Sequence, residues 1–146
     1  MDTVKKLREE TGLSFAEIKK ALDANGGDET AARATLSARS AEQAAKKADR
    51  EIAAGSVASY IHSSSMTGAI VKLGCETDFV AKNDEYKALA YDLAMHVCAM
   101  NPESMDELMT QAFVKDGSLT VKEKLAGAVQ KFGENVQLVE YTRYSI

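Results

Sequence analysis

Residues 55–84 read GSVASYIHSSSMTGAIVKLGCETDFVAKND, and this stretch sets the fold class predicted for the chain. Residues alternate in a strand-like way over Ser56–His62 and again over Gly68–Cys75, the period-two pattern of β-strands. The polar residues 63–67 between the two runs are typical of a turn, so the sequence predicts a β-hairpin. Shortly after the hairpin, Asn83 can cap a helix that begins at Asp84.

Downstream of the hairpin the apolar spacing changes to that of helices. It predicts a long helix over Asp84–Met100, which Asn101-Pro102 stops, and a short helix over Met105–Phe113. Residues 115–117, Lys-Asp-Gly, are expected to form a turn.

After this turn, the sequence predicts a second long helix and a third strand. Thr120 and Glu123 have the spacing of a capping box, and the helix that they open is expected to end at Gly133. Residues 135–145 predict a strand. Counting the two long helices, the predicted order is β-β-α-α-β, an α+β fold in which a small three-stranded antiparallel sheet packs with helices.

The last strand carries apolar residues on both of its predicted faces. Simple alternation places Val136, Leu138 and Tyr144 on one face and Val139 and Tyr141 on the other. The helices can cover one face of so small a sheet, so the second face is expected to be buried against something else. A second copy of the chain is the simplest candidate, which predicts a noncovalent homodimer.

The first 40 residues predict three short helices. Gly12 and Gly26 mark helix ends, Ser14 with Glu17 forms a capping box, and Asp28 can cap the third helix. About 35 residues in three helices bury only a small core, which is typical of a docking unit rather than of a catalytic domain.

Composition divides the chain into three segments. We expect a docking module over residues 1–39, a solvated helical connector rich in Ala, Lys, Glu and Arg over 40–54, and an α+β core domain over 55–146. The apolar stripe of the second helix of the module is predicted to consist of Phe15, Ile18, Ala21 and Leu22.

Charge and composition argue against nucleic-acid-binding and membrane-spanning proteins. The 146 residues contain 18 Lys and Arg against 22 Asp and Glu, a net charge of −4, which argues against direct nucleic-acid binding through bulk positive charge. The longest uncharged stretch, residues 52–71, contains many Ser and Thr residues, so no membrane span is predicted. We see no targeting segment and expect a cytoplasmic protein that binds another protein, with Cys75 and Cys98 as reduced, buried thiols.

No arrangement of residues predicts catalysis. His62 and His96 lack the spacing of a metal pair with a third ligand, and no nucleophile can be assigned a base. The sequence also lacks the glycine-rich motifs that hold phosphates, so we expect no cofactor and no metal site.

The segment Thr77–Asn83 stands out because it joins a strand to a helix, where rigid scaffolds often place binding residues. Phe79 beside Asp78 can serve as an anchor, because a rigid ring enters a partner's pocket with little loss of entropy. In the alternative interpretation, Phe79 covers the protein's own core and Asp78 caps a helix. The sequence leaves both interpretations open.

Five motifs resemble the bacterial elongation factor Ts family, in family order and over most of the chain. They are LREETGLSFAEIKKALDANGGD (7–28), VASYIH (57–62), CETDFVAKND (75–84), LAMHVCAMNP (93–102) and KFGENV (131–136). The resemblance implies a guanine-nucleotide exchange factor for the GTPase elongation factor Tu, and not an enzyme.

The resemblance also implies roles for particular residues. The three N-terminal helices would form a UBA-like module that docks on the nucleotide-binding domain of the partner through Arg8, Phe15, Ala16 and Lys19. Residues Thr77, Asp78, Phe79 and Val80 would displace Mg²⁺ from the partner, with Asp78 and Phe79 inserted as a wedge. Further family contacts match Phe132 and Gly133 near the wedge and His62, which would touch the partner's far domain.

The chain also departs from the family pattern. It has one copy of the core, a short segment before the last helix, and a hairpin tip without the usual Gly-Gly-Arg, and Val139-Glu140 replaces a basic pair. Two alternatives stay open: a UBA-like adaptor that binds another protein or a nascent chain without exchange activity, and a small enzyme that depends on His62 or His96.

Overall fold

The computed structural model describes residues 2–146 and begins with three helices, α1 (Asp2–Thr11), α2 (Phe15–Ala24) and α3 (Glu29–Lys47). The predicted ends are confirmed. Gly12 follows α1 with φ at +69°, and Ser14 and Glu17 form the reciprocal capping box of α2. Asp28 caps α3 by accepting a hydrogen bond from the Ala31 amide at 3.0 Å.

The N-terminal helices bury a small apolar cluster that excludes Phe15. The cluster consists of Leu7, Leu13, Ile18, Ala21, Leu22, Ala32 and Leu36, with Val4 at its edge. The prediction that Phe15 belongs to the buried stripe is wrong, since its side chain is 47% exposed. As the first residue of α2, Phe15 lies beyond the end of the stripe that Ile18 starts.

Helix α3 is longer than predicted and runs through residue 39 without a break. The prediction of a helical connector holds only as far as Lys47, because residues 48–53 form a turn and irregular chain. Ser40, placed in a solvated connector by its composition, is buried and donates a hydrogen bond to Gln130 at 2.5 Å. The start of the predicted connector is therefore packed against the C-terminal part of the chain.

The remaining elements follow in the predicted order, with additions. They are β1 (Ala54–Ile61), β2 (Thr67–Cys75), α4 (Asp78–Ala81), α5 (Asp84–Met100), α6 (Met105–Thr110), β3 (Ala112–Phe113), β4 (Asp116–Thr120), α7 (Val121–Phe132) and β5 (Gln137–Ser145). Strand β2 lies between β1 and β5, and both pairings are antiparallel. The predicted α+β class and three-stranded sheet are confirmed.

A small hairpin of β3 and β4 replaces the end of the predicted short helix. The prediction of helix to Phe113 is wrong, because α6 ends at Thr110 and Phe113 pairs with Asp116. The predicted turn at 115–117 is displaced, and the chain turns at residues 114 and 115. The buried Phe113 ring stacks on His96, whose Nδ1 accepts from the Val114 amide at 3.1 Å, so tertiary contacts fix the hairpin.

The sheet covers a single core on one of its faces. Side chains of β2, α5 and α7 form most of that core, with Tyr86, Leu93, Val97, Val71 and Leu73 fully buried. Burying so many apolar side chains away from water supplies the main stabilisation of the fold.

A β-bulge in β5 reverses the predicted faces of two tyrosines. Leu73 pairs with Leu138 but Lys72 pairs with Glu140, so Val139 is an extra residue and the alternation shifts by one beyond it. Tyr141 therefore faces the helices and donates a hydrogen bond to the Pro102 carbonyl at 3.0 Å, whereas Tyr144 is 74% exposed. The alternation-based prediction that placed Tyr144 with Leu138 is wrong for this reason.

The outer face of the sheet carries apolar side chains, as the sequence predicted. Val57, Ile61, Ile70, Val139 and Tyr144 are all exposed. Within residues 2–146, no helix has both the length and the apolar character that crossing a bilayer requires.

Candidate protein-interaction site

The segment that follows β2 presents a phenylalanine on a one-turn helix. Thr77 caps α4, and its hydroxyl accepts a hydrogen bond from the Val80 amide at 3.4 Å. Val80 is 5% exposed and packs into the main core, while Phe79 beside it is 87% exposed. The backbone is thus held by the buried side chain, and the aromatic ring points into solvent.

The alternative interpretation of this segment is wrong on both points. Phe79 does not cover the protein's own core, because almost all of its surface is exposed. Asp78 does not cap the helix either, since Thr77 is the capping residue and Asp78 is the first residue within the turn, with an exposed side chain. An exposed acid and an exposed ring therefore stand side by side on a fixed backbone.

Glu134 ties this segment to the chain after α7. Its Oε1 accepts from the amides of Glu76 and Thr77, both at 3.0 Å, and its Oε2 accepts from the Thr77 hydroxyl at 2.6 Å. In the opposite direction, the Asn135 amide donates to Glu76 Oε2 at 2.6 Å. Both segments lie within motifs that resemble the family, but spacing along the sequence cannot show that residues nearly 60 positions apart meet.

Phe132 and Gly133 are brought to the same region by these contacts. The Phe132 ring is half-buried and meets the ring of Tyr86 edge to face, with 5.8 Å between centroids. Tyr86 is fully buried and donates to the Leu73 carbonyl at 2.5 Å, and its burial raises the pKa of its hydroxyl. Gly133 is exposed and ends α7 with φ at +72°.

The thiol of Cys75 lies under the same turn. Cys75 is fully buried and free, and its Sγ donates to the Thr77 carbonyl at 3.3 Å. Burial raises the pKa of this thiol, which disfavours the nucleophilic thiolate. This agrees with the prediction of a buried thiol, and Cys98 is likewise buried and free.

The four predicted contact residues of the N-terminal helices are all exposed. Arg8 lies on α1, and Phe15, Ala16 and Lys19 lie on the first turns of α2. Their helices are attached to the rest of the protein through α3 and α7, by the Ser40–Gln130 bond and by a bond from Gln130 Nε2 to Glu17 Oε1 at 2.9 Å.

His62 lies apart from the other candidates. It is exposed at the hairpin tip, at the opposite end of β2 from Thr77, about 26 Å along a strand of this length. Its Nδ1 accepts from the Ser64 amide at 3.2 Å, a contact within the tip. The fold therefore brings Thr77–Val80 and Phe132–Gly133 together and leaves His62 remote.

His96, one of the two histidines named in the enzyme alternative, is held by contacts within the protein. Both ring nitrogens of the buried His96 are engaged, with Gln111 and the Val114 amide, and burial lowers its pKa. Among residues 2–146, no group of three or more His, Cys, Asp or Glu side chains is placed to hold a metal ion.

A family model and several known proteins similar to this chain carry the same family name. The family model for elongation factor Ts matches residues 76–146. The "Elongation factor Ts" of Herpetosiphon aurantiacus is 34% identical, and the alignment covers the whole chain and 96% of that protein. Those of Heliobacterium modesticaldum and Thermotoga petrophila are 35% and 39% identical, covering 98% and 97% of the chain and 87% and 78% of the relatives. The first alignment spans 191 positions, so that relative has residues that this chain lacks.

Proposed function

The chain belongs to the elongation factor Ts family of translation elongation factors, and on this premise we propose that it is a guanine-nucleotide exchange factor for the GTPase elongation factor Tu. In this proposal it binds the GDP-bound GTPase, promotes the release of GDP and leaves the site to GTP. It works through binding energy alone and contributes no catalytic group or cofactor.

The observation that carries the proposal is the exposure of Phe79 on a fixed turn. The ring is 87% exposed, while the backbone below it is capped by Thr77 and held by buried Val80. Such a ring loses little entropy when it enters a pocket, which is the character of an interface hot spot. We assign Phe79 the role of a wedge that separates helices of the GTPase.

Asp78 supplies the polar part of the displacement. GDP is held by its phosphates, by the Mg²⁺ that neutralises them and by backbone amides, so loss of the metal weakens nucleotide binding. We assign Thr77–Val80 to dislocation of that Mg²⁺, with Asp78 and Phe79 entering beside the metal site. By linkage, bound factor and bound GDP weaken each other by the same ratio, and GTP then expels the factor.

The N-terminal helices serve as the docking module. We assign Arg8, Phe15, Ala16 and Lys19 to contact with the nucleotide-binding domain, since all four are exposed on α1 and α2. The UBA-like module of residues 1–39 and the connector of residues 40–54 share α3, and α3 packs on α7. The packing of α3 on α7 joins the docking surface to the core domain of residues 55–146, which carries the wedge.

Two further contacts complete the proposed interface. Phe132 and Gly133 lie next to the wedge segment through the bonds of Glu134 and would contact the same domain of the partner. His62 would touch the partner's far domain at the rim of the interface, where single contacts contribute little.

We also propose that two copies of the chain associate through the outer face of the sheet. Five large apolar side chains are exposed on that face, with a single ion pair among them, Lys72–Glu140 at 3.3 Å. Pairing the two sheets about a two-fold axis would remove this apolar surface from water. The dimer would be noncovalent, because both cysteines are buried outside this face.

Release of fluorescent GDP from elongation factor Tu tests the proposal. We expect the chain to accelerate release, excess Mg²⁺ to oppose it, and Phe79→Ala to lower the rate about 30-fold, equivalent to about 2 kcal/mol of lost contact energy. Asp78→Ala, and the double variant, test the polar part. Lys122→Ala, an exposed change on α7, is the control. Nucleotide exchange at the normal rate with Phe79→Ala would contradict the wedge role of Phe79. If neither the wild type nor any variant accelerated GDP release, the adaptor function would replace the proposed exchange function.

A further inference from the structure

The carboxylate of Glu134 holds the start of the wedge turn from across the chain. It accepts three hydrogen bonds, from the amides of Glu76 and Thr77 and from the Thr77 hydroxyl, at 3.0, 3.0 and 2.6 Å. Hydrogen bonds to an ionised carboxylate are stronger than those between neutral groups. Glu134 is therefore the main side-chain restraint on the backbone immediately before Asp78 and Phe79.

The restraint extends from Thr77 into the turn itself. The Thr77 hydroxyl donates to Glu134 and at the same time accepts from the Val80 amide, so it links the carboxylate to the helix cap. A helix of one turn, such as Asp78–Ala81, has too few internal bonds to be stable alone. Its conformation must therefore come from contacts with the rest of the protein. These are the cap, the burial of Val80 and Ala81, the bond that the Ser56 hydroxyl donates to the Ala81 carbonyl at 3.1 Å, and Glu134.

Glu134 can act as a restraint because its own backbone is fixed. Asn135 is buried, its amide donates to Glu76 Oε2 at 2.6 Å, and its side chain donates to the Arg50 carbonyl at 2.8 Å. On the other side, Gly133 ends α7 in the left-handed conformation, which sets the direction of the chain that carries Glu134.

We propose that Glu134 is a positioning residue, which pre-organises Asp78 and Phe79 for entry into the partner GTPase. The inference rests on the proposed exchange function and deepens it. An ordered turn reaches the binding geometry without a further loss of conformational entropy on binding, whereas a loose turn must be ordered at the interface. Glu134 itself need not touch the partner.

Three variants of the full chain test the role of Glu134. Glu134→Ala removes all three bonds, and Glu134→Gln keeps an oxygen that can accept from both backbone amides. Glu123→Ala is the matched control, because Glu123 also accepts from an N-cap amide, that of Thr120 at 3.1 Å, but lies at the other end of α7. All rates are compared at a temperature where thermal unfolding shows every variant to be folded.

We expect Glu134→Ala to lower the maximal rate of fluorescent GDP release about tenfold at saturating factor. The half-saturating concentration should change less than about threefold, because docking through the N-terminal helices is unaffected. Glu134→Gln should stay within about threefold of wild type, and Glu123→Ala should match wild type. In the background of the Asp78→Ala, Phe79→Ala double variant, Glu134→Ala should have no further effect, because both groups that it positions are missing.

Amide hydrogen exchange supplies a readout that does not depend on activity. In the free protein, we expect the amides of residues 78–82 to exchange faster in Glu134→Ala than in wild type or Glu123→Ala. Unchanged protection of these amides would overturn the proposal, and so would an equal loss of rate in the background of the Asp78→Ala, Phe79→Ala double variant. If wild type failed to accelerate GDP release while Glu134→Ala freed the turn, the exchange function would be wrong, and Glu134 would restrain the turn without positioning it for exchange.

Discussion

The two ends of strand β2 differ in how their exposed residues are supported. At the C-terminal end, Phe79 projects from a turn fixed by buried Val80 and by Glu134. At the N-terminal end, residues 62–66 of the hairpin tip are all exposed and bond mainly to one another, and Ser65 adopts a positive φ of 60°. Only the first end has the fixed geometry that an inserted side chain requires.

The two ends of the sheet also differ in how far the chain itself covers the outer face. Near the wedge, the half-buried Ile52 lies over Gly74, where any Cβ would collide with it. Near the tip, Ile61 lies over Gly68 and remains 63% exposed, with Tyr144 across from Gly68. The end of the sheet that the chain itself covers carries the proposed wedge, and the open end carries exposed apolar side chains of the proposed dimer surface.

The largest expected effect is on the free energy of unfolding, to which the buried Val80 should contribute much more than the exposed Phe79 beside it. Val80→Ala should lower the free energy of unfolding by about 2 kcal/mol, because it leaves a cavity in the core. Phe79→Ala should change that free energy by less than about 0.5 kcal/mol, because the ring is exposed. Urea denaturation followed by circular dichroism measures both. Equal losses in the two variants would mean that Phe79 packs on the protein after all.

A smaller effect is expected at the open end of the outer face. Ile61→Lys should weaken the proposed dimer at least about tenfold, since an ammonium group would be removed from water at the interface. Sedimentation equilibrium measures the change against twice the 15.7 kDa monomer mass. Ala38→Lys, an exposed change on α3, is the control and should leave the dimer intact. A wild-type protein that stays monomeric at tens of micromolar would contradict the dimer.

The smallest effect is expected at the tip. His62→Ala should change the rate of GDP release by less than about threefold, because His62 is exposed and its own bonds stay within the tip. The same fluorescent GDP assay measures it, beside Ser63→Ala as a neighbouring change. A tenfold or greater loss in the rate of GDP release would show that the hairpin tip makes a major contact with the partner. That result would contradict the difference between the two ends of β2.

Local signals in the sequence predicted much of this fold. The Ser14–Glu17 and Thr120–Glu123 capping boxes and the Asn83 cap lie where predicted, because each depends on residues within one helical turn. The hairpin and the third strand followed from alternation. These features need no knowledge of distant residues.

The wrong predictions concern features that contacts between distant residues decide. The bulge at Val139 changed the faces of Tyr141 and Tyr144, because pairing with β2 overrides the alternation along β5. The β3–β4 hairpin depends on the burial of Phe113 against His96, which the helical pattern of residues 105–113 did not reveal.

The sequence by itself determined the helix caps, the hairpin and the segment that carries Asp78 and Phe79, since these depend on near neighbours and on residue type. Only the tertiary structure decided that Phe79 faces solvent rather than the core, and that Glu134 restrains the turn below it. The exposure of Phe79 depends on how Val80 packs into the core, and the restraint depends on a contact between segments nearly 60 residues apart, so neither follows from near neighbours in the sequence.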